Sequence, residues 1–112
     1  MLQKLQGLLA PVMQAGLVES VVRQVADASV ESVCSRVSDS ARGMGLSETR
    51  GYIRARAGLV VRRQARLAVK HAGVHPSLES TVRRDATERL VPVVMRIMER
   101  ERVGSLTLRA AA

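Results

Sequence analysis

The sequence predicts an all-α protein, an antiparallel bundle of three long helices with room for a short fourth helix at the N-terminus. Three observations predict it. Strand signals are missing: apolar and polar residues never alternate for long, and no Asn-Gly or Asp-Gly hairpin turn occurs. Apolar residues recur at helical spacing in three long runs. The helix breakers fall between or after those runs: Gly43 with Gly45, Gly73 with Pro76, and Gly104. Short breaks make consecutive helices antiparallel.

The first run extends from about Pro11, tolerated in a first helical turn, to Arg42. Val18, Val21, Val22 and Val25 share one face, and Val30, Val33 and Val37 share another. The offset, roughly a third of a turn, asks either for a bend near Ala28–Ser29 or for different partners along the two halves. Leu2, Leu5, Leu8 and Leu9 fit the short extra helix. The second run starts after Gly45, with Ser47 as the expected N-cap and Glu48 in its first turn, and reaches about Ala72. Ile53, Ala57, Val60, Val61, Gln64, Leu67 and Ala68 form its expected core face, with His71 on the same side. The third run is expected to be capped by Ser77 and to reach about Val103. Its core stripe is Leu78, Val82, Ala86, Leu90, Val93, Val94 and Ile97, and the internal Pro92 predicts a kink near residues 88–92. One domain is expected over residues 1–104, with a flexible tail over 105–112.

With no Phe, no Trp and one Tyr, the core must be aliphatic, and the 46% hydrophobic content argues against a disordered chain. The single cysteine, Cys34, permits no internal disulfide and fits a reducing, cytoplasmic location. No apolar run reaches the roughly 18 residues of a membrane span. Gln3, Gln6 and Gln14 interrupt the N-terminal leucines, so that stretch is not read as a secretory signal.

The formal charge is +8, carried by 16 Arg and two Lys against 10 acids. The preference for Arg over Lys, with no Asn and two Ile, matches GC-rich coding. Coding bias does not explain the surplus of bases over acids. That surplus is uneven: residues 1–41 are net −1, residues 42–75 net +7, and residues 76–112 net +2. In the third run, Glu79–Arg83, Asp85–Arg89 and Glu88–Arg84 have the spacing of local ion pairs.

The charge therefore concentrates on the second helix. Arg56, Arg62, Arg63, Arg66 and Lys70 fall within one sector of it, opposite the core face, along about 20 Å of axis. Arginine grips phosphate with two prongs, and the whole segment contains a single acid, Glu48. These five bases are the candidate nucleic-acid-binding residues. The same row also fits a solvated face, or one paired with acids of another subunit. Tyr52 and Leu59 lie among the bases, where an aromatic ring either stacks on a nucleobase or packs at a helix contact.

Catalytic chemistry is poorly represented. His71, His75 and Cys34 lack the spacing of a zinc site, so no metal and no cofactor is expected. Gly43-Met-Gly45 has neither the preceding strand nor the following Lys-Ser/Thr of a phosphate loop. A helix-turn-helix reading of Gly43–Arg56 would need a shorter, more exposed recognition helix. The run Arg66-Leu-Ala-Val-Lys-His71 resembles the Arg-x4-His motif of HEPN-type helical ribonucleases. The resemblance covers six residues, and Leu67 stands where that family usually has a polar residue. It implies RNA cleavage with Arg66 and His71 at the site.

The expected function is thus a non-catalytic basic subunit that holds RNA or DNA backbone without reading sequence, within a larger nucleoprotein assembly. A protein partner or self-association is expected, with no membrane and no small-molecule substrate. The alternative is an oligomeric adaptor or scaffold whose basic helix meets an acidic partner. A HEPN-like ribonuclease is the weaker third reading.

Overall fold

The fold is a three-helix bundle. The structure, a computed structural model, describes residues 2–111, with side chains described over residues 15–104. Helix α1 spans Leu2–Val37, α2 spans Leu46–Ala72 and α3 spans Glu79–Ala111, with a one-turn 3-10 segment, Pro76–Leu78, leading into α3. Each helix packs on both others, and no strand occurs among the described residues. The molecule is a rod of 72 × 23 × 22 Å with a radius of gyration of 18.1 Å, against about 13 Å for a compact domain of this length. At 1.5 Å per residue α1 is about 54 Å long, so the 72 Å axis requires the helices to be staggered lengthwise.

The core explains how the helices cross. Its stripes repeat at intervals of four residues: Val25, Ser29, Val33 and Val37 in α1; Ile53, Ala57, Val61, Ala65 and Val69 in α2; Val82, Ala86, Leu90 and Val94 in α3. A four-residue step exceeds the helical repeat of 3.6, so each stripe drifts around its helix by about 40° per step. Helices joined along such seams are inclined to one another, with i±4 ridges in contact. The drift also resolves the two offset valine faces of α1. The seam passes from Val25 through Ser29 to Val33 on an unbroken helix, with Val18 and Val30 half-buried beside it. Ser29 can sit fully buried there because its Oγ donates to the Val25 carbonyl at 2.7 Å.

Several local expectations are corrected. Residues 2–9 are part of α1 instead of a separate helix. Beyond Val37 the chain winds on as turns, with Ala41 N–H bonded to the Val37 carbonyl at 3.0 Å, until Gly43 reverses it at φ 85°. Gly45, not Ser47, caps α2: its backbone is extended, and its carbonyl accepts from Thr49 N at 2.9 Å. At the far end Gly73 takes φ 72°, and Val74 N reaches the Val69 carbonyl at 3.1 Å. Val69 and Val74 are both buried, the apolar contact that accompanies such a stop. His75, not Ser77, caps the next turn, its Nδ1 accepting from Ser77 N at 3.2 Å. Leu67 and His71 are exposed, whereas Ala65 and Val69 occupy the core positions of α2. Val91 is buried in α3, and Val93 and Ile97 are only half-buried.

Pro92 lies on the solvent side of α3, which runs unbroken past it. Glu88, whose carbonyl loses its helical partner to the proline, is itself an exposed residue one turn back. The helix also passes Gly104 and continues to Ala111. The expected tail over 105–112 falls outside the residues whose side chains are described. No helix among the described residues is long and apolar enough to cross a membrane.

Candidate nucleic-acid interface

The four-residue seam of α2 sorts its other residues into rows. Positions one beyond the seam (54, 58, 62, 66, 70) form one flank, and positions two beyond (55, 59, 63, 67, 71) form the outer crest. Positions three beyond (56, 60, 64, 68) form the other flank. Gln64 and Ala68 meet Gln24, Val25 and Ala28 of α1 around a shallow hollow, so that flank faces α1. Arg54 meets Glu88, so the opposite flank faces α3.

Arg62, Arg66 and Lys70 occupy successive steps of the α3-side flank, about 6 Å apart along the axis. Arg63 stands on the crest between Leu59 and Leu67, which are 64% and 59% exposed. All four bases are exposed, and among the described residues none makes an ion pair or a side-chain hydrogen bond. Arg56 differs from them. Its Nε donates to the Tyr52 hydroxyl at 3.2 Å, and its guanidinium lies 5.2 Å from the centre of the Tyr52 ring. The structure thus places the five sequence-derived bases on the outside of one helix but divides them into four unpartnered groups and one engaged with tyrosine.

The acids explain why these bases remain unpaired. The in-helix pairs expected in α3 are absent among the described residues. Glu88 binds Arg54 of α2 at 2.9 Å, and Arg89 binds Glu19 of α1 at 2.6 Å. Asp85 pairs with its neighbour Arg84 at 3.3 Å, and Glu99 with Arg102 at 3.1 Å. Glu88, the α3 carboxylate that reaches α2, is therefore committed to Arg54. Sequence reasoning left out Arg50, which is exposed, has no carboxylate partner among the described residues and shares the row of Arg54 and Arg62. Counting the second helix in steps of four would have found it.

Tyr52 is half-buried against the core. Hydrogen bonds from Ser40 and then from Arg56 hold its hydroxyl below the ordinary phenol pKa. Cys34 is half-buried, and burial, followed by the charge of Glu101, pushes its thiol up, away from the reactive thiolate. Arg66 and His71 are five residues apart, about 140° around the helix, and no hydrogen bond joins them. His75 is occupied as a cap. No cluster of three metal-ligating side chains occurs among the described residues. No known protein family, curated protein or solved structure matches this chain.

Proposed function

We propose that this protein is a non-catalytic subunit that holds the phosphate backbone of RNA or DNA through α2, without reading sequence, inside a larger cytoplasmic nucleoprotein assembly. One observation carries the reading: Arg62, Arg63, Arg66 and Lys70 are exposed together with no carboxylate partner among the described residues. Two charges about 6 Å apart repel by about 0.7 kcal/mol in water before salt screening. A helix tolerates that repulsion, and phosphate relieves it while releasing its own counterions. The four groups are donors alone, which suits phosphate oxygens, and the row carries none of the side-chain acceptors that reading the amino groups of adenine and cytosine requires.

The test is binding of arbitrary RNA and DNA by the full chain, with affinity followed against salt. Four phosphate contacts give a slope of log K against log salt of about −3 to −4. Replacing Arg62, Arg63, Arg66 and Lys70 together with Gln should flatten that slope and weaken binding. A chain that binds no nucleic acid at low salt refutes the proposal. A second reading rests on Leu59 and Leu67: two exposed leucines beside Arg63 also suit an adaptor whose partner is both apolar and acidic. Concentration-dependent association without nucleic-acid affinity would favour it.

A further inference from the structure

We infer that the polymer held by α2 is double-stranded; the inference rests on the phosphate-binding reading above and concerns which form of nucleic acid that surface selects. Proteins that hold single strands gain much of their affinity by stacking bases on aromatic rings, about 1–3 kcal/mol per base. This chain has one aromatic residue, Tyr52. Its ring is packed against the core and carries the Arg56 guanidinium at 5.2 Å, and its hydroxyl is engaged by Ser40 and Arg56. The residues flanking Arg63 on the crest are Leu59 and Leu67, which offer no π-face. An unpaired base arriving at this row finds no free tyrosine, phenylalanine or tryptophan ring to stack on.

The shape of the surface points the same way. A flexible single strand is held where a channel confines it. Here the bases project from the convex side of a long helix, on a rod only 23 × 22 Å in cross-section. The hollow on α2 opens toward α1 instead and is lined by Gln24, Gln64 and His71 together with apolar groups. A duplex is already stiff over distances far longer than this rod, so it loses little freedom on lying against charges fixed to one side of a helix. It also presents about one charge per 1.7 Å of axis. About seven phosphates therefore lie along the roughly 12 Å from Arg62 to Lys70, and each contact on a duplex carries a steeper counterion-release term than one on a single strand. The helix offers a rigid face of concentrated charge, and a duplex is both stiff and densely charged.

The experiment compares a mixed-sequence DNA duplex, the matching RNA duplex, and each component strand chosen not to self-pair. Salt and total phosphate concentration are held equal. Either duplex should bind about tenfold tighter than its own strands. Arg62, Arg66 and Lys70 replaced by Gln should erase that preference, whereas Tyr52→Leu should leave it unchanged, with helicity checked by circular dichroism. Single strands bound as tightly as duplex, or binding that falls on Tyr52→Leu in a folded variant, overturn the inference while phosphate binding stands. Failure to bind any of the four polymer forms at low salt overturns both readings.

Discussion

Helices α2 and α3 are both rich in arginine, yet their charges have different fates. Of the six described arginines of α3, Arg84, Arg89 and Arg102 hold carboxylates, and Arg96 reaches the Pro92 carbonyl. Of the seven bases of α2, only Arg54 holds a carboxylate. Composition alone hides this difference, because an arginine matters to a partner only when its own fold has not neutralised it. Glu88 is the α3 acid that links two helices, through Arg54 of α2, while Asp85 and Glu99 pair with arginines of α3 itself. The outer side of α2 has no acid opposite it.

The largest expected effect removes what both faces depend on. Leu90 is fully buried in the α3 seam, and Leu90→Ala should cost about 2–5 kcal/mol, read as a fall in denaturant midpoint. Nucleic-acid affinity should then disappear with the fold, so this variant calibrates losses caused by unfolding. Next comes a matched pair of charge removals. Gln at Arg62, Arg63, Arg66 and Lys70 should weaken binding by about a hundredfold at low salt. Gln at Arg84, Arg89 and Arg102 should change it by about threefold or less, because those groups already have partners. Equal losses from the two sets would erase the distinction between the helices.

A subtler variant sharpens it. Glu88→Gln frees Arg54, joining Arg50 and Arg54 to the row that continues at Arg62. Binding should tighten about two- to threefold, and the salt slope should steepen by about 0.9. Both partners are about half exposed, so the loss in stability should stay below about 1 kcal/mol.

The smallest effect lies at Tyr52. Its pKa is lowered, first by Ser40 and then by Arg56. Tyrosinate absorbance, with no other tyrosine to interfere, should therefore appear at a lower pH than in the unfolded chain. Ser40→Ala should move that titration back toward the ordinary phenol value, and Arg56→Ala should do so to a lesser degree. A folded-state pKa below the unfolded one adds stability only at alkaline pH and loses it as pH falls through the folded value. Stability near neutrality should not depend on this group.

Much of this molecule follows from neighbours in the chain. Helical class, the number of helices and the two breaks between them were legible because a helical period and the glycines at 43 and 73 act over a few residues, whereas the break expected at Gly104 is absent, since α3 runs through it. The concentration of charge on the second helix was legible for the same reason. Residues whose place depends on a caught or missed neighbour were not: Leu67 was expected inside and is exposed, and Val91 was overlooked and is buried. The first follows from the seam repeating every four residues, which puts Leu67 opposite Ala65 and Val69, and the second from α3 packing on both α1 and α2, which buries Val91 beside the seam residue Leu90. That inclination and the lengthwise stagger decided which carboxylate meets which guanidinium, tying Arg54 to Glu88 and Arg89 to Glu19. The sequence by itself determined how much positive charge α2 carries. Only the packing of three helices decided which of those charges were left over, because pairing between helices depends on distances that no local pattern encodes.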